Sequence, residues 1–249
     1  MFFRNGTDSC GSFYVTKVVI LGLEVEGEAV DGQYQSSGGV HCPQGLLYVE
    51  VDCPPELEAE FHIWYNTEHI PERLRIPGFV AGHRYAALEG TPRWLATYML
   101  ESVAVLESPE YLKWLGPLQT AWTKRMVSST RVHRSVFRVL QRVDSTMKSE
   151  KAHAGTGLLA VRYEVSSAGR EKLSLWHDTE FCSQLLQVPG VMRVSRYDSA
   201  EGEEQLILYK LEHPWVVQEA NFARLWTTGW DTRRRSLPAY KRTLYVRIL

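Results

Sequence analysis

The sequence lacks an excess of charge of either sign, a long apolar run and closely paired cysteines. Its 249 residues carry 28 Lys and Arg against 29 Asp and Glu, a net charge of −1, which argues against nucleic acid or a membrane as partner. No apolar run approaches the ~20 residues of a membrane span. The four cysteines form no C-x-x-C pair, so we expect no zinc or redox motif and predict a reduced, cytoplasmic protein.

Motifs for nucleotides and for nucleophilic serine are also missing. There is no G-x-G-x-x-G, no P-loop and no G-x-S-x-G elbow. His62 and His69 are seven residues apart, without the H-x-x-x-H spacing that places two metal ligands on one helix face. The sequence therefore predicts no metal and no cofactor. We expect a small molecule as the partner.

One unit is present twice. When residue 45 is set against residue 157, about 14 of 46 aligned positions are identical, where chance gives roughly 3. The two copies share the frame W-x-x-T-E followed by P-G, in "WYNTEHIPERLRIPGF" and "WHDTEFCSQLLQVPGV". We therefore predict a flexible leader (1–44), a first repeat (45–143), a linker (144–156) and a second repeat (157–249).

Each repeat has the pattern of a βαββαβ unit. "GLLYVEVD" is typical of a strand, the next residues have helical apolar spacing, and two strands, a helix and a closing strand follow. This order defines the ferredoxin-like unit, whose sheet has one bare face. We predict an α+β fold in which two such units pack sheet on sheet, as a dimer fused into one chain, with further homodimerisation left open.

The stretch "WYNTEHIPERLRIPGF" resembles the EthD-like branch of the dimeric α+β barrel superfamily. The resemblance covers both repeats and not the leader. It implies a dimeric α+β barrel and membership of a group that includes cofactor-free monooxygenases, polyketide cyclases, decarboxylases, small lyases and haem enzymes. Tandem proteins of this kind occur near fungal polyketide pathways, so the resemblance also implies secondary metabolism.

The first helix carries an aromatic stripe that contains one carboxylate. At 100° per residue, the inward arc holds Leu57, Phe61, Trp64, Tyr65, Glu68 and His69, and the opposite face holds Asn66, Thr67 and Ile70. A carboxylate in an apolar stripe needs a partner or a proton. Glu68 and its counterpart Glu180 are therefore expected to pair with Arg84 and Arg196 or with backbone amides, the alternative being a pocket acid with a raised pKa.

His69 is the leading candidate for chemistry. Its counterpart is Phe181, so the fold accepts an aromatic ring there and does not require a histidine. The resemblance implies a pocket between sheet and helices in which such a histidine shuttles protons, and histidine suits acid–base work near neutral pH. An ordinary buried histidine is the alternative.

The remaining candidates surround His69. On the next strand His83 and Tyr85 share one face and Arg84 the other. Three of the polar set His62, His69, His83 and Tyr85 are lost in the second repeat, which places the working pocket in the first. The predicted catalytic residues are His69, Glu68, Tyr85 and His83; the predicted substrate-binding residues are Phe61, His62, Trp64, Tyr65, Tyr98, Trp114 and Trp122.

Three functions remain open. The first is a cofactor-free lyase, cyclase or decarboxylase that moves protons on a polyketide-like or aromatic small molecule. The second is a cofactor-free monooxygenase of an anthrone-like substrate. The third is a ligand-binding or assembly module without chemistry.

Overall fold

The computed structural model describes residues 42–146, 155–233, 235, 237 and 239–249. Most of the predicted leader (1–41) and the centre of the predicted linker (147–154) lie outside these residues. The described residues form a single compact unit. Within the described part of the chain, no helix has both the length and the apolar character that crossing a membrane requires.

Eight antiparallel strands form a closed barrel. They are β1 Gly45–Asp52, β2 Phe79–Ala87, β3 Trp94–Leu100, β4 Arg131–Asp144, β5 Gly157–Glu164, β6 Val191–Ser199, β7 Glu204–Leu211 and β8 Lys241–Arg247. Around the barrel the order is β1-β3-β2-β8-β5-β7-β6-β4. The first half (β1 to β4) and the second half (β5 to β8) each contribute four neighbouring strands in the same relative order.

Two pairings between the halves close the barrel. Strand β2 pairs with β8 through Tyr85–Ala87, and β4 pairs with β6 along a longer register from Phe137 to Asp144. The predicted α+β class is confirmed. The two sheets do more than face each other, because their edge strands share backbone hydrogen bonds and leave the eight strands in one continuous ring.

The helices cover the outside of the barrel. They are α1 Glu58–Trp64, α2 Ile70–Leu74, α3 Pro109–Trp114, α4 Ala121–Ser129, α5 Ser167–Trp176, α6 Cys182–Leu185 and α7 Ala220–Arg233, with 3₁₀ segments at Pro55–Leu57, Val103–Glu107 and Pro214–Gln218. Ser108 caps α3 and Pro109 opens it. The chain leaves the helix before Pro117 and starts α4 at Ala121, whereas α7 in the second half is unbroken.

A π-helical turn interrupts the first helix of each half. It spans Tyr65–His69 between α1 and α2, and His177–Phe181 between α5 and α6. A π turn adds one residue to the helix and rotates all later side chains by about 100°. Ile70 is therefore buried, with 5 % of its surface exposed, and the prediction that it lies on the outer face is wrong.

Strand alternation divides the apolar side chains between three cores. Leu46 and Tyr48 on β1 point into the barrel and pack there with Phe137 and Tyr245. Leu47 and its alternate neighbours point outward, to the helices of the first half. The equivalent outward core of the second half contains Trp226 and Trp230. A packed core between sheet and helices thus exists once in each half, and the residues of the predicted pocket on the helix side belong to the first of these cores.

Candidate functional site

Arg84 lies at the centre of the space between sheet and helix in the first half. Only 2 % of it is exposed. Its Nη1 donates to Asn66 Oδ1 at 2.6 Å, and its Nη2 lies 2.9 Å from His62 Nδ1. The guanidinium carbon stands 4.5 Å from the ring centroid of Tyr65 and 5.1 Å from that of Phe61. Arg84 therefore has polar partners and two aromatic faces, which stabilise a buried cation.

His62 is neutral in this arrangement. Burial, followed by the positive charges of Arg84 and Arg93, lowers the pKa of His62 to about 4. Because Nδ1 accepts from Arg84, the ring proton lies on Nε2. The ring stands edge-on to Trp94, with 4.3 Å between centroids. His62 thus holds Arg84 in place through its Nδ1.

Glu68 does not pair with Arg84, and that prediction is wrong. Its Oε1 accepts hydrogen bonds from the hydroxyls of Thr120, at 2.6 Å, and Thr123, at 2.9 Å. Thr120 is also the N-cap of α4 and accepts from the Thr123 amide. Glu68 therefore attaches the start of α4 to the first helix, where a carboxylate also complements the helix dipole. Glu180, its counterpart in the second half, is exposed.

In both halves the buried arginine binds a side chain two residues before the glutamate of the W-x-x-T-E frame. Asn66 binds Arg84, and at the equivalent positions Asp178 Oδ2 accepts from Arg196 Nη2 at 2.7 Å. The π turn turns these positions toward the sheet. A helical wheel with a uniform 100° step cannot show this contact.

His69 lies just beneath the surface of the first half, among aromatic rings. Its centroid is 4.5 Å from that of Trp64 and 5.0 Å from that of Tyr65. Its Nδ1 is buried and has no hydrogen-bond partner among the described residues. Burial, and then the charges of Arg73 and Arg84, hold the pKa of His69 well below its usual range. The ring is therefore neutral near pH 7, with Nδ1 buried and unpartnered among the described residues.

Tyr65 lies against His69, and Tyr98 lies next to Tyr65. Tyr65 comes from the π turn and Tyr98 from β3, and both are buried, with 3 % and 1 % exposed. Burial raises the pKa of each hydroxyl, and each hydroxyl interacts with the other. Both therefore remain protonated near neutral pH and can act as hydrogen-bond donors. Tyr98 lies on the helix side of β3, the side on which the sequence places it.

Arg73 is a member of this group that sequence reasoning missed. It lies on α2, one turn after His69, with 5 % of its surface exposed. Its guanidinium carbon is 5.6 Å from the ring centroid of Tyr111. The counterpart of Arg73 in the second half is Leu185, a core residue. This exchange is visible in the alignment of the two repeats, in the same way as the exchange of His69 for Phe181.

His83 and Tyr85 do not meet His69. Both point to the opposite face of β2, into the barrel, where the Tyr85 ring lies 6.5 Å from the ring of Tyr245. Burial, followed by the charges of Arg247 and Lys210, lowers the pKa of His83 to about 3. Since neighbouring residues on a strand alternate faces, the burial of Arg84 against the helix excludes its neighbours from that side. The grouping of His83 and Tyr85 with His69 and Glu68 is therefore wrong.

The other predicted binding residues belong to the packed aromatic core between the sheet and the helices of the first half. Trp64 donates from Nε1 to Thr123 Oγ1 at 3.0 Å, and Trp122 from Nε1 to Glu60 Oε1 at 2.8 Å. Both indole N–H groups are thus satisfied. Phe61 and Tyr65 belong to the outward core, and Trp114 and Trp122 are partly buried against it.

The second half contains its own histidine in the corresponding space. His177 replaces Tyr65 and is 1 % exposed. Its Nδ1 lies 3.2 Å from Asp178 Oδ1, and its Nε2 lies 3.1 Å from the Tyr209 hydroxyl. That hydroxyl accepts from Trp230 Nε1 at 2.9 Å, so it donates to His177 Nε2. Every polar atom of the His177 ring is therefore partnered, unlike Nδ1 of His69.

A charged cavity of about 310 Å³ lies at one end of the barrel. It contains Arg162, which donates from Nε to Glu204 at 2.7 Å and from Nη1 to the buried Glu50. Lys241 Nζ donates to the other oxygen of Glu50 at 2.8 Å. The charges compensate each other across strands of both halves, which is the arrangement of a structural ion-pair network.

Comparison with known proteins identifies the fold. No protein-family model matches the sequence, and no curated protein matches it. A solved anthrone oxidase-like protein is similar over 83 % of this chain and 92 % of its own, with a TM-score of 0.60 and 12 % identity. A provisionally assigned monooxygenase from Lactobacillus acidophilus NCFM covers 82 % of this chain and 94 % of its own, with a TM-score of 0.53 and 10 % identity.

A provisionally assigned chlorite dismutase is similar as well, over 84 % of this chain and 96 % of its own, with a TM-score of 0.50 and 10 % identity. At these identities the likeness establishes architecture and not activity. The chain has the α+β barrel architecture of these ferredoxin-like proteins.

Proposed function

We propose that the protein is a cofactor-free oxygenase of a planar, anthrone-like aromatic molecule that binds in the first-half pocket. The observation that carries the proposal is His69: a buried neutral imidazole, with no partner at Nδ1 among the described residues, held between Trp64 and Tyr65. The second half has Phe181 at this position, so folding does not require the histidine. The names of two structural neighbours, an anthrone oxidase-like protein and a provisionally assigned monooxygenase, give partial support to an oxidative reaction.

In the proposed reaction His69 Nδ1 takes a proton from a methylene group next to a carbonyl. The electron pair moves into the ring system as an enolate, whose oxygen can accept a hydrogen bond from Tyr65 or Tyr98. The enolate reduces O₂ and forms a carbon–oxygen bond. The resulting hydroperoxide loses water, so that CH₂ and O₂ give C=O and H₂O. The pocket supplies the base, the donors and the apolar walls.

We also propose that the two halves are EthD-like units fused in one chain, with the halves placed as the two subunits of a dimer would be. The support is the identical element order, the same relative strand order and the paired π turns. A cytoplasmic location is proposed as well, since Cys42, Cys53 and Cys182 are free thiols.

Oxygen consumption with anthrone as the probe substrate tests the activity. We expect wild-type protein to consume O₂ and His69→Phe to be slower by about 100-fold or more, the usual effect of losing a general base. The packing cost of His69→Phe should stay near 1 kcal/mol. Phe181→His should cost about 1–3 kcal/mol of stability and leave turnover per folded molecule nearly unchanged.

Two controls identify the alternatives. His83→Phe changes a histidine inside the barrel and should keep its activity, since His83 does not face the pocket. Turnover of polyketide intermediates that proceeds equally well without oxygen, and still requires His69, would instead identify a lyase or cyclase. Full oxygen uptake by His69→Phe would refute the role of His69 in the oxygenase reaction, and full anaerobic turnover by the same variant would refute its role in a lyase or cyclase.

A further inference from the structure

Arg73 is a buried cation that makes no salt bridge with any residue that the structure describes. Its Nη1 is buried and has no hydrogen-bond partner there. The adjacent Glu72 is close enough for its pKa to respond to the charge of Arg73, although burial and Glu68 act on it more strongly. No hydrogen bond joins the two side chains. A guanidinium in this position is costly, because burial removes its hydration and no protein group fully replaces it.

The fold does not require this cation. In the second half the same position is Leu185, which is fully buried in an apolar core. The two side chains occupy equivalent positions on the helix, and the hydrophobic one is the ordinary choice for a buried position. The first half keeps an arginine at a cost in stability, so its role lies outside folding.

The surroundings of Arg73 indicate what it binds. His69 is one helical turn away, and Arg73 is the foremost of the charges that act on it. Tyr111 presents its ring face to the guanidinium. A cation, a neutral imidazole with an unpartnered nitrogen and several aromatic rings therefore lie together between the sheet and the helices of the first half, and no described carboxylate is hydrogen-bonded to the cation.

We infer that Arg73 is the anion-binding residue of this pocket, and that the pocket takes a planar aromatic molecule bearing a carboxylate. A carboxylate is fully ionised at neutral pH, whereas a phenol is not, and guanidinium matches its two oxygens with parallel N–H donors. This inference rests on the proposed function for the choice of pocket. It narrows the substrate to an aromatic acid whose carboxylate lies near Arg73 while its reacting carbon faces His69.

Binding of two matched probes, 2-naphthoate and the neutral 2-naphthalenemethanol, tests the inference without turnover. Calorimetry or tryptophan fluorescence should show that wild-type protein binds the acid at least about 10-fold more tightly than the alcohol. Arg73→Leu, which copies the second half, should lose this preference and still bind the alcohol. Arg73→Lys should keep part of it. Arg75→Leu, an exposed change of the same charge on the same segment, should keep all of it.

Thermal unfolding separates binding from structure. Arg73→Leu should unfold at the same temperature as wild type or higher, because it removes a buried cation. An unfolding temperature several degrees lower, with an unchanged preference for the acid, would overturn the inference in favour of a structural role. Failure of the wild type to prefer the acid would overturn it as well. Loss of oxygen uptake alone would count against the proposed reaction and leave the anion site standing.

Discussion

At the scale of single residues, each half places a histidine among aromatic rings on the helix side of its sheet, but from different helix positions. His69 lies between Trp64 and Tyr65 with Nδ1 unpartnered among the described residues, whereas His177 is held at both nitrogens by Asp178 and Tyr209. The first arrangement leaves one ring nitrogen without a hydrogen bond from the described residues. The second fixes a buried polar network, which is the ordinary role of a histidine in a core.

The pH dependence of oxygen uptake should reflect the low pKa of His69. A general base acts when it is unprotonated, and burial with Arg73 and Arg84 keeps His69 unprotonated to well below pH 6.5. The maximal rate at saturating substrate should therefore stay level from pH 8 to about pH 6 and decline only at lower pH. Arg73→Leu removes one of the two cations and should move the decline to higher pH, while Arg75→Leu should not. A decline centred above pH 6.5 in wild type would contradict this assignment.

His83 should make the folded protein sensitive to acid. The pKa of His83 is about 6.5 in the unfolded chain and about 3 in the folded protein. Between these pH values a proton binds to His83 in the unfolded chain but not in the folded protein, which favours unfolding. The free energy of unfolding is therefore unaffected by His83 above pH 6.5 and decreases as the pH falls toward 3. Between pH 6.5 and pH 5 this loss is about 2 kcal/mol. His83→Gln should lose that much less stability over the interval in urea unfolding; an unchanged pH dependence would contradict the assignment.

At the scale of elements, the shared W-x-x-T-E and P-G frame serves the backbone in both halves. The Thr67 hydroxyl donates to the carbonyl of Ile63 at 2.8 Å, and Thr179 donates to Leu175 at the same distance, at the π turn in each case. After the helix, Gly78 turns the chain into β2 with φ of +90°. These contacts explain why the frame persists while His69 and Arg73 do not.

The glycine turns should tolerate alanine poorly. On Gly78 a Cβ atom would lie 2.4 Å from Val105 Cγ2, and on Gly190 it would lie 2.6 Å from Val216 Cγ2. Gly90 is a matched control, because its φ is +84° but no atom stands within 4 Å of the place that a Cβ atom would take. Gly90→Ala should cost about 1–2 kcal/mol from backbone strain alone. Gly78→Ala should cost clearly more in urea unfolding, and equal costs would mean that Val105 moves aside freely.

At the scale of the whole molecule, charges inside the barrel join the two halves. Glu50 comes from β1, and Arg162 and Lys241 come from β5 and β8. Glu50 and Arg162 are 2 % and 8 % exposed. Removal of one partner leaves the other buried and unpaired, which is more costly than loss of the attraction itself.

Arg162→Met should therefore destabilise the protein by about 3–5 kcal/mol, since Glu50 and Glu204 lose a shared partner. Arg193→Met removes a surface arginine whose partner Asp144 is largely exposed, and it should cost less than about 1 kcal/mol. Thermal or urea unfolding at neutral pH compares the two variants. If both variants lose less than about 1 kcal/mol of stability, water screens the charges of Arg162, Glu50 and Glu204 at the barrel end.

The strands and the outer helices could be predicted from the sequence because both follow simple periodicities. Strand alternation also implies that His83 and Arg84 face opposite ways, which is incompatible with a place for His83 in the pocket. The π turns could not be predicted, because one additional residue leaves no compositional mark. They decide that Ile70 is buried and that Asn66, not Glu68, meets Arg84. Comparison of the repeats could have identified Arg73, through its replacement by Leu185.

One barrel on a single chain has a consequence for how such a pocket can change. In an assembly of two identical subunits, a substitution enters both pockets at once, and the cost of a buried charge is incurred twice. Here Arg73 and His69 occupy one half, while the opposite half keeps Leu185 and Phe181 packed. The second half can hold the barrel closed without meeting any demand of a ligand. Destabilising substitutions that adapt the first half to a ligand can then accumulate only as far as the stability contributed by the second half allows.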